Sequence, residues 1–348
     1  MMKSGVMRNL LVVLFVLFAF ASCEKAFIKE KKTENARVVF DEIWKVLDKG
    51  YGNFIYKGLS WDTTYMAYDT LVNDTMDTYE LFDMATRLIA ELKDPDITLD
   101  AGFTQWSYNN QLNAAANYNE KVVQQNYLKK YERSGPFIYS IFLPDSIAYV
   151  QYSSFNDNLD EYKLEEFIKN LKRLGGTKGT ILDLRNNRGG NMDNLFMLIK
   201  HIDVPDTMGA GTNYLFLTAY RNGPKHGDFT KYFDNWVDES GGERLPVKMA
   251  VLVNRACFGV TSMFTTGCKA LPLVKIFGDS TSGGGGHIMG AELPNGWRLR
   301  YPNSIVLDIN DNNITDGVAP DSLLITTPAD EAAGKDLLME AALDYIRP

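Results

Sequence analysis

The 348-residue sequence has only three cysteines and three histidines. Cys257 and Cys268 are eleven residues apart on a predicted helix, about 16 Å along its axis at 1.5 Å per residue, so they cannot form a disulfide with each other. The histidines, His201, His226 and His287, are scattered, and no spacing of ligand residues resembles a metal site. We therefore expect no metal and no other cofactor.

Positive charge is also scarce. Lysine and arginine total 36 against 44 acidic residues, which gives a formal net charge of −8 at pH 7. No stretch of the sequence forms a basic patch. This balance disfavours nucleic acid, or an anionic membrane surface, as a partner.

Long apolar runs are rare, and the run at residues 10–20 is too short to span a membrane. Lys3 and Arg8 precede it and small residues follow it, so residues 1–22 are predicted to be an export signal. The ending Phe20-Ala21-Ser22-Cys23 resembles a bacterial lipobox, in which Cys23 receives a lipid. We therefore expect a lipoprotein anchored to a membrane of the bacterial cell envelope. The alternative is cleavage after Ala21, which would give a secreted or periplasmic soluble protein.

The remaining sequence divides into regions of different periodicity. Residues 23–34 form a polar linker, and residues 35–95 have the pattern of a small helical N-terminal domain. Its last helix has a capping box at Asp77 and Glu80. Residues 96–145 are predicted to be a linker or a lid, and the linker is the favoured reading.

From residue 146 to residue 348, strands alternate with helices. The pattern predicts strands at 147–152, 180–185 and 249–253, and helices at 259–269 and 337–346. Pro294-Asn295-Gly296 predicts a hairpin turn. The expected fold class is therefore α/β, a layered core of strands and helices preceded by the helical domain.

The segment Asp183-Leu184-Arg185-Asn186-Asn187-Arg188-Gly189-Gly190 joins an apolar strand to a glycine turn. Backbone N–H groups at Gly189 and Gly190 converge there. Fixed donors of this kind can stabilise an oxyanion in acyl transfer. We therefore assign Gly189 and Gly190 as candidate oxyanion or peptide-binding residues.

Several other segments accompany this turn in an order that one family shares. They are the aromatic residues Phe40, Trp44, Tyr51, Phe54, Trp61 and Tyr65, and the segments at 149–155, 251–255, 278–284, 292–297 and 317–321. Together they resemble the tail-specific, or C-terminal processing, serine peptidases, in the branch related to the tricorn protease core. The resemblance implies a ClpP/crotonase-like core and a substrate bound as an extended peptide. The Gly-Leu-Gly type loop of a PDZ domain, present in many members, is not found here.

Four positions depart from the pattern that the resemblance implies. Gly259 stands where the family has its nucleophilic serine, and Asp96 stands where the tricorn-like branch has its histidine base. Thr315 replaces the supporting glutamate, and Gly284 replaces the lysine of the other branch. A free carboxylate titrates near pH 4 and is a poor base for a hydroxyl, so we expect Asp96 not to replace the histidine.

The sequence therefore predicts a catalytically degenerate family member. We expect it to bind a peptide or an unfolded protein segment without efficient hydrolysis. One alternative is an active serine-type peptidase with relocated residues, drawn from Cys257, Thr261 or Ser262 as nucleophile and His287 as base. A second alternative is an inert structural envelope protein.

Overall fold

The computed structural model describes residues 35–111, 114–202, 212–238, 242–246 and 248–347. The predicted export signal, the linker 23–34 and Cys23 lie outside these residues. Within the described ranges, no helix has both the length and the apolar character needed to span a bilayer.

Helices and strands alternate along most of the described chain. The helices are α1 (Ala36–Gly50), α2 (Phe54–Lys57), α3 (Trp61–Asp69), α4 (Thr78–Ala90), α5 (Glu120–Val122), α6 (Glu161–Arg173), α7 (Met192–Ile199), α8 (Val260–Lys269), α9 (Pro328–Ala332) and α10 (Leu337–Ile346). A π-helical turn, Val123–Tyr127, follows α5. The strands are β1 (Thr98–Asp100), β2 (Gln105–Ser107), β3 (Glu132–Ser134), β4 (Phe137–Phe142), β5 (Ile147–Tyr152), β6 (Gly179–Asp183), β7 (Thr212–Tyr220), β8 (Phe233–Asp238), β9 (Met249–Val253), β10 (Val274–Gly278), β11 (Ile288–Glu292), β12 (Arg298–Pro302), β13 (Ser304–Leu307) and β14 (Ser322–Leu323).

The N-terminal helices α1 to α4 confirm the predicted helical region. Helix α4 begins with the predicted capping box, because the Asp77 side chain accepts from the Glu80 amide and the Glu80 side chain accepts from the Asp77 amide. The helices bury their apolar faces against a four-stranded antiparallel sheet of order β11-β12-β1-β2. Leu88 on α4, Leu99 on β1 and Leu299 on β12 are fully buried in this shared core.

The segment 96–145 is not only a linker or lid. It contains β1 and β2, which complete the four-stranded sheet, and β3 and β4, which complete the main sheet. Strands β1, β2 and β3 have three residues each, which is too short for alternation to be read from the sequence. The predicted hairpin turn at Pro294-Asn295-Gly296 is confirmed between β11 and β12.

The main sheet has seven strands in the order β14-β10-β9-β6-β5-β4-β3. Strands β5, β6, β9, β10 and β14 run parallel, and β3 and β4 are antiparallel additions at one end. Val150, Leu182 and Val251 pack in a core with α6, α7 and α8, whereas Tyr149 and Ile181 pack with α10. Helices therefore cover both faces, and the predicted layered α/β core is confirmed.

A third sheet, of order β13-β7-β8, is antiparallel and was not predicted. Its middle strand pairs with β13, which lies more than eighty residues further along the chain. Thr218 and Tyr220 on β7 and Asn235 on β8 border the cavity described below. This sheet therefore forms one wall of the candidate site.

A buried charge network ties the main sheet to α10. The Arg185 guanidinium donates to Asp183 Oδ2 and to Asp336 Oδ2, at 2.6 Å in each case. All three side chains are at most 4% exposed. Asp336 also caps α10 by accepting from the amides of Leu338 and Met339.

Candidate active site

A cavity of about 350 Å³ lies at the carboxyl ends of β6 and β9. Three of the predicted positions, Asp96, Gly190 and Gly259, meet in its wall. The other lining residues are Arg188, Met192, Thr218, Tyr220, Asn235, Val260, Met263, Gly285, Gly286, His287, Ile288 and Ser304. Such a position, beyond the ends of parallel strands, is common for ligand sites in α/β folds.

Gly259 stands at the turn between β9 and α8, at the position that caps the helix. Its backbone has φ +61° and ψ −123°, a conformation that glycine adopts far more readily than other residues. The Gly259 amide donates to Gly283 O at 2.9 Å. A Cβ at this position would meet only Arg188 O, at 3.9 Å. The turn therefore presents an open space to the cavity, with no side chain in it.

The three neighbouring candidate nucleophiles are buried and do not border the cavity. Thr261 Oγ1 donates to Asn187 Oδ1 at 2.7 Å, and Ser262 Oγ donates to Gly283 O at 2.7 Å. Cys257 Sγ donates to a backbone carbonyl, and burial raises the pKa of its thiol to about 12. None of the three lines the cavity, so none takes the place of a side chain at Gly259.

His287, the candidate relocated base, does line the cavity. Its ring Nδ1 lies 3.1 Å from Asn303 Oδ1, and its backbone amide donates to Ser304 Oγ at 2.7 Å. The Ser304 hydroxyl oxygen thus accepts a hydrogen bond from the backbone amide of His287, whereas the imidazole ring of His287 contacts Asn303 instead. This geometry differs from a nucleophile and base pair, in which ring nitrogen and hydroxyl are bonded.

Asp96 faces the cavity from the segment before β1. Its Oδ2 accepts from the Gly285 amide at 3.1 Å. Burial, and secondly the charge of Asp94, raise the pKa of Asp96 to about 8. The expectation that this group titrates as a free carboxylate near pH 4 is therefore wrong.

Asp94 lies behind Asp96 and is 1% exposed. The Tyr51 hydroxyl donates to Asp94 Oδ2 at 2.6 Å, and the Asp96 amide donates to Asp94 Oδ1 at 2.9 Å. Burial raises the pKa of Asp94, whereas Lys57 and the Tyr51 hydroxyl lower it. Because Asp94 has these partners, we infer that it carries the negative charge and that Asp96 holds the proton. Sequence reasoning missed this support, because it gave Tyr51 only as one of the aromatic residues that carry the family resemblance.

Thr315 and Gly284 lie beside the cavity but do not border it. The Thr315 hydroxyl donates to Asn53 Oδ1 at 2.9 Å, and its carbonyl accepts from the Gly284 amide at 3.2 Å. A Cβ at Gly284 would lie 2.6 Å from the Phe258 ring and 3.1 Å from Asp96 Oδ1. A longer side chain, such as lysine, therefore has no room at residue 284 without rearrangement.

The two glycines of the predicted oxyanion turn differ in their surroundings. The Gly189 amide donates to Asn187 Oδ1 at 2.9 Å, and its carbonyl accepts from the Phe155 amide. Gly190 borders the cavity, and its amide has no acceptor among the described residues. Only the Gly190 amide is therefore available to a ligand in this arrangement.

Arg188 contributes the positive charge of this wall. Its guanidinium donates to Gln111 Oε1 at 3.3 Å. Within the described ranges it pairs with no carboxylate. The sequence placed Arg188 in the glycine turn but gave no signal of this exposed position.

Comparison with known proteins decides the family. Residues 146–324 match Peptidase family S41, and residues 32–90 match the Tricorn protease C1 domain. The S41 match covers more than half of the chain. The chain belongs to peptidase family S41. The resemblance inferred from the sequence, including its tricorn-related branch, is thereby confirmed.

Solved structures of similar fold include S41-type proteins. A suspected peptidase from Parabacteroides merdae ATCC 43184 is 30% identical with a TM-score of 0.83, over 90% of this chain and 97% of that chain. Mature CPAF has a TM-score of 0.66 at 10% identity, over 90% and 98%. The tricorn protease has a TM-score of 0.55 at 17% identity, over 89% of this chain and 36% of that chain. No curated protein matched.

In this S41 chain, the cavity offers donors but no side chain at the head of α8. The Gly190 amide and the Arg188 guanidinium donate, and Asp96 also donates when it is protonated below about pH 8. These groups can bind a carbonyl or an anion. Formation of an acyl-enzyme intermediate would also require a nucleophilic side chain of the protein at the head of α8.

Proposed function

We propose that this S41 protein binds extended peptides or unfolded protein segments without efficient hydrolysis. The observation that carries the proposal is Gly259, which opens α8 at the cavity without a hydroxyl. Loss of the nucleophile in a serine peptidase costs on the order of a millionfold in turnover. The hydrogen-bond donors and the groove retain roughly a thousandfold acceleration over water at most. Binding, in contrast, depends on strand addition and on side-chain pockets and needs no nucleophile.

The walls of the cavity support binding of an extended chain. Strand β8 is one of the two outer strands of its sheet within the described part of the chain, so its outward main-chain groups can pair with a peptide. Asn235 on this strand borders the same cavity as Gly259. Met192, Met263 and Ile288 provide apolar surface for peptide side chains.

Calorimetric titration with a library of acetylated heptapeptides tests binding. We expect heat with the unmodified protein and weaker binding with Ile288→Trp, which places a ring in the cavity. The matched control is Met289→Trp, because Met289 is 40% exposed and does not border the cavity. No heat with any pool would contradict the proposal and favour an inert structural protein.

Hydrolysis is the second candidate function, and one observation favours it. The raised pKa of Asp96, about 8, brings this carboxylate into the range of an effective base. A fluorophosphonate probe separates the two functions. We expect no labelled residue, whereas labelling of any serine or threonine between residues 257 and 282 would establish a peptidase with relocated residues.

We also propose that the protein is exported and anchored to the bacterial cell envelope through a lipid on Cys23. Support comes from the sequence alone: two basic residues, the apolar run at 10–20, and small residues directly before Cys23. Growth with a tagged fatty acid should label the unmodified protein and not Cys23→Ala. Unlabelled protein cleaved after Ala21 would indicate a soluble secreted or periplasmic form.

A further inference from the structure

A second cavity, of about 450 Å³, shares Arg188 with the cavity at Gly259. Phe258, which directly precedes Gly259, also borders it. Thr98 and Ser107, a cross-strand pair of β1 and β2, lie on another side. The volume is within the range of about 300–1,000 Å³ that small-molecule sites occupy. This cavity is therefore a candidate binding site of its own.

The second cavity is polar and almost uncharged. Four amide side chains border it: Gln105, Asn109, Asn110 and Gln111. Arg188 is the single charged side chain among the described lining residues, and its guanidinium donates to Gln111 Oε1 at 3.3 Å. The same lining residues include no carboxylate and no leucine, isoleucine, valine or methionine. Because amides both donate and accept hydrogen bonds, the lining suits a neutral ligand that does both.

The Thr98 hydroxyl gives this cavity an unused polar group. It is buried and forms no hydrogen bond within the described ranges, a condition that is rare in folded proteins. Gln105 and Ser107, two residues apart on β2, point to the same face of the sheet as Thr98. Their side chains also form no hydrogen bond to the described part of the chain. Hydroxyl groups of a ligand in the cavity would supply the missing partners.

We propose that this cavity binds a neutral oligosaccharide. The hydroxyls of a sugar donate and accept, so they match the amides and the Thr98 hydroxyl. The C–H faces of a sugar ring pack on the negative faces of aromatic rings, which Tyr108 and Phe258 provide. The inference goes beyond the peptide binding proposed above, because it depends on neither strand β8 nor the apolar wall at Gly259.

A polypeptide is the competing ligand. Strand β2 is an outer strand of its sheet within the described ranges, so its main chain can also pair with an added strand. In such complexes, pockets receive alternate side chains of the peptide. The described lining has the polar groups for a sugar but lacks aliphatic surface for such pockets. We therefore favour the saccharide, and the experiment includes peptides.

The experiment is calorimetric titration of the full-length protein with neutral tetrasaccharides of glucose, mannose, galactose and N-acetylglucosamine. We expect heat of binding from at least one of them. Absence of heat from all four would overturn this inference. That result would leave the proposed peptide binding intact, because these titrations contain no peptide.

Thr98→Val tests the place of binding, since it removes the hydroxyl and keeps the branched shape. The variant should weaken the saccharide about fivefold, the effect of one neutral hydrogen bond. It should not lower the melting temperature, because the hydroxyl has no partner within the described protein. Thr104→Val is the matched control, on the exposed turn between β1 and β2 and outside the lining. Unchanged affinity in Thr98→Val would overturn the assignment to this cavity.

Tyr108→Ala tests the aromatic contact independently of Thr98. It should also weaken the saccharide about fivefold. Tyr131→Ala, at a residue that is 40% exposed and outside the lining, should leave the affinity unchanged. Equal affinities of the two variants would overturn the role of the ring.

Two further ligands test the chemical class. Tetragalacturonate should bind no more tightly than the galactose tetrasaccharide, because Arg188 is the single charge in the described lining. Tighter binding that is lost between about 0.1 M and 1 M salt would indicate a site for anions and overturn the neutral class. Amidated heptapeptides should bind Thr98→Val and the unmodified protein equally. Weaker peptide binding to Thr98→Val would assign the cavity to a polypeptide and overturn the inference.

Discussion

Replacing Gly259 by serine would place a hydroxyl at the head of α8. The new Cβ meets only Arg188 O, at 3.9 Å, so we expect no steric cost. The backbone at φ +61° is strained for serine and should cost about 1–3 kcal/mol of stability. The folded protein should therefore survive this substitution.

We nevertheless expect Gly259→Ser alone to leave hydrolysis at the level of the unmodified protein. In serine peptidases, loss of the base alone costs about as much as loss of nucleophile and base together, roughly a millionfold. The Asp96 carboxylate lies more than 4 Å from the ideal Cβ position, and the Gly285 amide bonds its Oδ2. The hydroxyl would therefore have no positioned base.

The assay is turnover of a fluorogenic peptide, with fluorophosphonate labelling, at pH 7 and pH 9. Gly290→Ser is the matched control, because a Cβ at Gly290 meets nothing within 4 Å and this residue lies outside the cavity. Turnover by Gly259→Ser that increases from pH 7 to pH 9 would show that Asp96 serves as the base. That result would refute the argument from geometry. Addition of Asp96→His and Thr315→Glu should yield trace activity.

Three further substitutions test the packing and the charges. Gly189→Ala should destabilise the protein more than Gly259→Ala by about 1–3 kcal/mol, because its Cβ would lie 2.8 Å from one backbone atom and 2.9 Å from another; equal thermal shifts would contradict this. Asp336→Asn removes one of the two carboxylates that pair with buried Arg185 and should cost about 3 kcal/mol in urea denaturation; a loss below about 1 kcal/mol would contradict the argument. Asp96→Asn should stabilise the protein relative to the unmodified form by an amount that grows between pH 4 and pH 8. The reason is that the raised pKa makes the folded state retain a proton that the unfolded state has lost, so the unmodified protein loses stability as the pH rises. A stability gain that does not change with pH would contradict this sign.

The parts of the fold with long, buried patterns were predictable from the sequence. The strands at 147–152 and 249–253 and the helix at 337–346 were predicted at their observed residues. The strands β1, β2 and β3 were not, because three residues cannot display a period. The sheet of β7 and β8 was not predicted either, since its pairing with β13 joins distant parts of the chain.

The sequence predicted residues that border the site but not the protonation state of Asp96. Family resemblance placed Gly259 and Asp96 at functional positions, and both border one cavity. The proton affinity of Asp96 depends on burial and on Asp94, which the Tyr51 hydroxyl holds in place from the helical region. No local sequence pattern reports such a contact. The one available signal in the sequence was the close spacing of two carboxylates in Asp94-Pro95-Asp96, since a neighbouring negative charge raises the pKa of a carboxyl group.

The geometry of the cavity depends on the main chain more than on any side chain at residue 259. The Gly259 amide bonds Gly283 O, and the Phe258 amide bonds Asn187 O at 3.1 Å. The Gly285 amide bonds Asp96. Glycine at residue 259 is compatible with all of these hydrogen bonds, and it avoids the backbone strain that a serine would have at φ +61°. The glycine therefore relaxes this turn and leaves the surrounding hydrogen bonds in place, so the peptide binding proposed above does not depend on a side chain at residue 259.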